Sequence, residues 1–193
     1  IGYRSWNDDF RSDMLPRTTT VPVTSAMGGY TFTAANGYVS MEAEHFYSSN
    51  ASDGTEWSIY PYYGRTRSAV ALTPYTKPVD GASLTYRFAL LANAPAQVTV
   101  HVVVKSTLDF LNVGGHEYSV SLDGSEPQVV NFNKTLVDRQ PYMYSEFYPA
   151  VARRIVEKTV TLPVNKKDVH ELTLVPRDPG IVFEKIVVDC GGY

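Results

Sequence analysis

Gly37-Tyr38-Val39-Ser40-Met41-Glu42-Ala43-Glu44-His45-Phe46 is the run that decides how the rest of the chain is read. It reads as a strand. Successive side chains of a strand point to opposite faces. Tyr38, Ser40, Glu42, Glu44 and Phe46 then share one face, and Val39, Met41, Ala43 and His45 the other. Acidic residues are depleted in strands, so two on one face need a reason. Either they lie at a solvated rim, paired with Lys or Arg, or they hold a cation. The residues of this run leave both readings open.

Outward from that run the alternation continues. Leu84, Tyr86, Phe88 and Leu90 alternate with Ser83, Thr85, Arg87 and Ala89. Val98, Val100, Val102 and Val104 alternate with Thr99, His101, Val103 and Lys105. Tyr118, Val120 and Leu122 run into Asp123-Gly124, a hairpin signal, and on to Pro127–Phe132. Ser68–Thr73 reads as a strand. Thr159–Val164 and Glu171–Val175 read as an antiparallel pair, and Ile181–Asp189 as the last strand. Tyr148–Glu157 carries Val151, Ile155 and Val156 at helical spacing, with Pro149 near its start, and predicts a short helix. Many short strands at even spacing predict an all-β fold, a jelly-roll-like antiparallel sandwich. Residues 1–36 show no sustained period and read as an extended lead-in arm. Residues 37–193 read as the sandwich.

Length and charge narrow the function. A chain of 193 residues can bury a core without staples. Its net charge of -3 favours neither nucleic acid nor an anionic membrane surface. No apolar run approaches the roughly 20 residues of a membrane helix. Cys190 is the only cysteine, which excludes an internal disulfide. The chain opens with Ile1 and shows no signal-peptide pattern. It is expected to be a processed protein or a piece of a longer one. Asn50-Ala51-Ser52 and Asn133-Lys134-Thr135 are formal glycosylation acceptors.

The usual catalytic signatures are missing from the sequence. There is no G-x-S-x-G elbow, no H-x-x-x-H or C-x-x-C spacing, and no Gly-rich loop opening a helix. Cys190, beside Gly191-Gly192, reads as a packed thiol. Glu42 and Glu44 would lie roughly 7 Å apart along one strand face. That spacing suits one cation better than the two sides of a sugar. Calcium takes 6–8 oxygen ligands, and Glu184 of the last strand is a candidate third carboxylate. The bland alternative is three surface acids in salt bridges.

Aromatics are the other signal. Trp57, Tyr60, Tyr62, Tyr63, Tyr75, Tyr142, Tyr144 and Tyr148 fall in loops or near them. An aromatic ring pairs an apolar face with a polar edge, and pyranose C–H groups lie well on such faces. Arg65 and Arg67 stand close by, suited to a carboxylate. Trp57, Tyr62, Tyr63, Arg65, Tyr142 and Tyr144 are therefore the candidate carbohydrate-binding residues. The competing reading has these rings sealing sandwich edges or a subunit interface, where Tyr and Trp are enriched.

Several stretches carry a family resemblance. IGYRSW at Ile1–Trp6, MLP at Met14–Pro16, GYVSMEAEHF at Gly37–Phe46 and GRTRSAV at Gly64–Val70 occur in that order. YSVSLDGSEPQVVN at Tyr118–Asn131 and DPGIVFEKIVVDCGG at Asp178–Gly192 follow. Together they resemble the C-terminal region of glycoside hydrolase family 115, the xylan α-1,2-glucuronidases. The resemblance implies a chain that starts mid-protein and lacks the catalytic barrel. It implies a β-sandwich that takes part in dimer contacts, secreted to the periplasm or outside the cell. The EAE and FEKIVVD strands also resemble galactose-binding-like carbohydrate-binding modules. That likeness implies a structural calcium held by Glu42, Glu44 and Glu184, although such modules often carry Asp at the third position. Asn133–Tyr148 departs from the family pattern.

The expected function is a non-catalytic accessory domain of an α-glucuronidase, holding glucuronoxylan-like polysaccharide and joining a homo-oligomer. Two other readings stand beside it. One is an assembly protein that lends its N-terminal arm to a neighbour. The other is a stand-alone carbohydrate-binding module.

Overall fold

A computed structural model of the chain describes residues 30–90 and 94–193. Two sheets face each other across one core. The first holds β1 (Thr31–Thr33), β3 (Ser48–Asn50), β6 (Ser83–Ala89), β8 (Glu117–Leu122), β9 (Gln128–Asn131) and β11 (His170–Pro176). Its order is β1-β6-β11-β8-β9, with β3 also on β6. The second holds β2 (Tyr38–Glu42), β4 (Glu56–Tyr60), β5 (Ala69–Thr73), β7 (Gln97–Lys105), β10 (Ile155–Pro163) and β12 (Val182–Asp189). Its order is β10-β7-β12-β5-β4, with β2 also on β12. Pairing is antiparallel except for β1, which runs parallel to β6 from Thr31↔Arg87 to Thr33↔Ala89. The all-β sandwich expected from the alternation is the observed fold.

Alternation explains the packing. In β7 the side chains of Val98, Val100, Val102 and Val104 are buried in the core, and Thr99, His101 and Lys105 are not. Each such valine contributes about 1.5–3 kcal/mol by leaving water. Leu84, Tyr86 and Phe88 of β6 and Leu172 and Leu174 of β11 meet them from the other sheet. Phe183 joins the layers: its ring lies 5.6 Å from Tyr118 of the first sheet and 6.4 Å from Trp57 of the second.

The opening strand is shorter than its pattern. It stops at Glu42, where Ala43 and Glu44 turn and the His45 amide donates to the Glu42 carbonyl at 3.0 Å. The buried Tyr86 hydroxyl donates to the Ala43 carbonyl at 2.8 Å and fixes that turn. Glu44 therefore does not extend the strand face that carries Glu42. β2 and the last strand, β12, are antiparallel neighbours, from Glu42↔Lys185 to Tyr38↔Asp189. Beyond Glu42 the same edge of β12 passes to β5, which pairs at Val182↔Ala71 and Phe183↔Val70.

Other expectations change. The helix of 148–157 is α1 (Tyr148–Arg153), preceded by a π-turn at Met143–Phe147. Arg154 takes a left-handed φ of 59° and ends it, and β10 begins at the next residue. Strands β10 and β11 are not partners. The first pairs with β7, the second with β6 and β8, so the chain between them crosses from one sheet to the other. Ser48–Asn50, outside the alternating runs, form β3. Of the lead-in, residues 1–29 lie outside the described residues, and Thr31–Thr33 form β1 within the first sheet.

Candidate functional site

The site is built on the β4–β5 hairpin at the edge of the second sheet. Ala69 and Ala71 of β5 are small, and with Val182 they leave a shelf on which Tyr60 packs. The Tyr75 hydroxyl donates to the Tyr60 hydroxyl at 2.5 Å, and the two rings stack with centroids 6.4 Å apart. Burial, and then that hydrogen bond, push the Tyr75 phenol up to about 12. Tyr63 lies 6.3 Å from Tyr60. Tyr62, at the tip, is 95% exposed with φ of 59°. A bulky residue with positive φ is uncommon, and here the turn bond from the Tyr63 amide to the Tyr60 carbonyl, 3.3 Å, accompanies it. Arg65 and Arg67 are exposed beside the rings.

Three glutamates meet three consecutive residues of this hairpin loop. The Arg65 amide donates to Glu184 Oε2 at 2.6 Å. Thr66 Oγ1 donates to the Glu42 carboxylate at 2.7 Å. Arg67 Nε lies 3.8 Å from Glu44 Oε1, and His45 Nε2 lies 3.5 Å from the same oxygen. Glu184 is 1% exposed. It falls where the β12–β7 register shifts between Phe183 and Lys185, the kind of irregularity that re-aims a side chain. Lys105 reaches in from β7. Its Nζ donates to the Tyr63 carbonyl at 2.7 Å, lies 4.5 Å from the Tyr63 ring centre and 3.1 Å from Glu184 Oε1. Lys185 Nζ donates to Glu42 Oε1 at 3.1 Å. Lys105 was not a candidate in the sequence. Its only signal there is a charge closing the outward half of an alternating run.

The candidate rings do not form one group. Tyr62, Tyr63 and Arg65 share the hairpin loop. Trp57 is half-buried against the core, and its indole N–H donates to the Asn50 carbonyl at 2.6 Å. Tyr142 and Tyr144 belong to the segment before α1, where Tyr144 meets Tyr148 edge-on at 5.4 Å. Tyr142, Tyr144 and Tyr148 are exposed, as is Val151.

The Cys190 thiol is pushed up by desolvation and by the neighbouring Asp189, the reverse of an activated thiol. Among the described residues no three His, Cys, Asp or Glu side chains converge on a metal position. The carboxylates implied as calcium ligands are instead met by ammonium, guanidinium, hydroxyl and amide groups.

The model of the glycosyl hydrolase family 115 C-terminal domain matches residues 31–193. The chain belongs to that family. Among solved structures it is similar to a family GH115 4-O-methyl-α-glucuronidase with specificity for decorated arabinogalactans. That match has 20% identity and a TM-score of 0.58, covering 77% of this chain and 17% of that one. It is also similar to a family 35 carbohydrate-binding module from Clostridium thermocellum, at 12% identity and TM-score 0.51 over 78% and 97% of the two chains. The C-terminal family 6 module of a marine laminarinase from Zobellia galactanivorans matches at 13% identity and TM-score 0.50, over 79% and 98%. At such identities the likeness establishes the fold. No curated protein matches the chain. No helix among the described residues is long and apolar enough to cross a membrane.

Proposed function

We propose that this domain is a non-catalytic polysaccharide-holding module of a family 115 α-glucuronidase, and that the Tyr62–Arg65 loop is its contact with the sugar chain. The observation that carries this is a bare tyrosine at the tip of a loop whose backbone is tied to Lys105 and Glu184. Tyr63 and Tyr75 extend the apolar surface, and Arg65 adds a positive edge suited to acidic sugar substituents. A loop backbone already held in place loses little entropy when a ligand lands on it. Glucuronoxylan is the substrate we infer. Decorated arabinogalactan, on which the similar glucuronidase is specific, is the natural competitor. A substrate of that size supports a location outside the cytoplasm.

Affinity gels test this. With glucuronoxylan or arabinogalactan in the gel, the wild-type chain should be retarded. Tyr62→Ala, Tyr63→Ala and Arg65→Ala should each weaken retention at least about threefold, a loss of about 0.65 kcal/mol or more. Retention of the variants equal to wild type removes this loop from the site. No retention of the wild type on either polymer removes the polysaccharide reading.

A second reading rests on Tyr142, Tyr144, Tyr148 and Val151, an exposed apolar group on a different segment. Its role would be subunit contact. Light scattering of wild type against Tyr144→Ser decides: a dimer that the substitution dissociates supports it, and a monomeric wild type ends it. The arm proposed for assembly lies mostly outside the described residues.

A further inference from the structure

We propose that Lys105 is the resident cation of the acid cluster, and that its ammonium, rather than a divalent ion, closes the Tyr63–Arg67 loop onto β12. The resemblance to carbohydrate-binding modules implies calcium on Glu42, Glu44 and Glu184. The donor set here fits it poorly. Calcium needs 6–8 oxygens at 2.3–2.6 Å, typically carboxylates with backbone carbonyls. The Tyr63 carbonyl beside Glu184 accepts the Lys105 ammonium at 2.7 Å. The buried carboxylate on offer is Glu184. Its Oε2 accepts the Arg65 amide, and its Oε1 lies 3.1 Å from Lys105 Nζ, an ion contact off the hydrogen-bonding angle. A divalent ion bridging Tyr63 O and Glu184 Oε1 would need the space the ammonium fills, and would repel it.

The remaining acids are matched as well. Glu42 holds Lys185 and Thr66. Glu44, turned off the end of its strand, faces Arg67 and His45. Three carboxylates thus meet Lys105, Lys185 and Arg67, and the charge balances from within the chain. Lys105 is the central member because it touches the loop backbone, the loop ring and the buried acid at once.

The test uses the full chain and never reads sugar binding, so its result stands apart from the proposed function. Terbium, which replaces calcium and glows when a nearby tyrosine excites it, is titrated into the wild type. No saturable luminescence is expected, although Tyr63 is well placed to sensitise it. Melting in EDTA and in millimolar calcium should give the same Tm. Lys105→Met should lower Tm by about 5 °C or more, and Lys105→Arg should recover part of that loss. Saturable terbium luminescence in the wild type, a calcium-dependent rise in its Tm, or a Lys105→Met chain that melts like wild type would each overturn the proposal. Should Lys105→Met fail to fold, the wild-type terbium and calcium measurements still decide.

Discussion

Asp123 occupies the left-handed region with φ of 52°, and Gly124 follows at 74°. The Ser125 amide donates to the Leu122 carbonyl at 2.9 Å and closes the hairpin. This is the Asp-Gly turn read directly from the sequence. Its second role was not legible there. The Asp123 side chain accepts the Glu171 amide at 3.0 Å, pairs with His170 Nδ1 at 2.8 Å and lies 3.6 Å from Lys167. Burial pushes its pKa up, but the Glu171 amide, His170 and Lys167 outweigh burial and hold it below the usual 3.8. A depressed carboxylate stabilises the fold fully above its unfolded pKa, and loses that contribution as pH falls through its folded value. The wild-type urea midpoint should therefore drop below about pH 4, and Asp123→Asn should be less stable at neutral pH yet flatter over that acid range. Equal acid slopes would refute the assignment. Asn133 teaches the opposite lesson. Its sequon spacing says nothing of burial, yet the side chain is buried, accepting the His116 amide at 2.6 Å and donating to the Thr107 carbonyl at 3.0 Å. Asn133→Ala should cost about 2–3 kcal/mol by denaturant titration.

At the scale of elements, alternation located most strands and misplaced their ends. Ile155 and Val156 have helical spacing from Val151. Val156 also shares one strand face with Val160 and Leu162, and pairing of Ile155 and Val156 with Lys105 and Val104 of β7 wins. No Gly or Asn marks the stop, so Arg154 takes the left-handed conformation without a sequence signal. The crossing between β10 and β11 was likewise invisible, because a short connection between strands usually means a hairpin. The Tyr62–Arg67 loop was legible in its residue types but not in its anchorage, which depends on Glu42, Glu184 and Lys105, far away in the chain. Gly64 is its tightest point: an added Cβ would lie 2.3 Å from the Ser68 carbonyl oxygen. Gly64→Ala should displace the loop and lose polysaccharide retention in affinity gels while the far-UV spectrum stays that of wild type. Retained binding would place the sugar elsewhere. Tyr86→Phe should cost about 1 kcal/mol by leaving the Ala43 carbonyl without its donor, read as a lower thermal midpoint.

At the scale of the molecule, the two-layer sandwich followed from period-two patterning because both sheets use it to fill a single core. Which strand neighbours which did not follow, since pairing is settled by contacts between residues remote in sequence. Phe183 is the sharpest probe of that core. Phe183→Ala should destabilise by about 3–5 kcal/mol, with near-UV and far-UV signals lost in one transition. Separate transitions would show that the layers fold independently.

β12 touches β7 along one side and both β2 and β5 along the other. A segment near the carboxyl end thus occupies the middle of its sheet. During synthesis every earlier strand of that sheet emerges before its central partner exists. A nascent chain arrested ahead of Val182 would leave the backbone edges of β5 and β7 that face β12 unpaired. Such intermediates should be cut readily by added protease until β12 clears the ribosome.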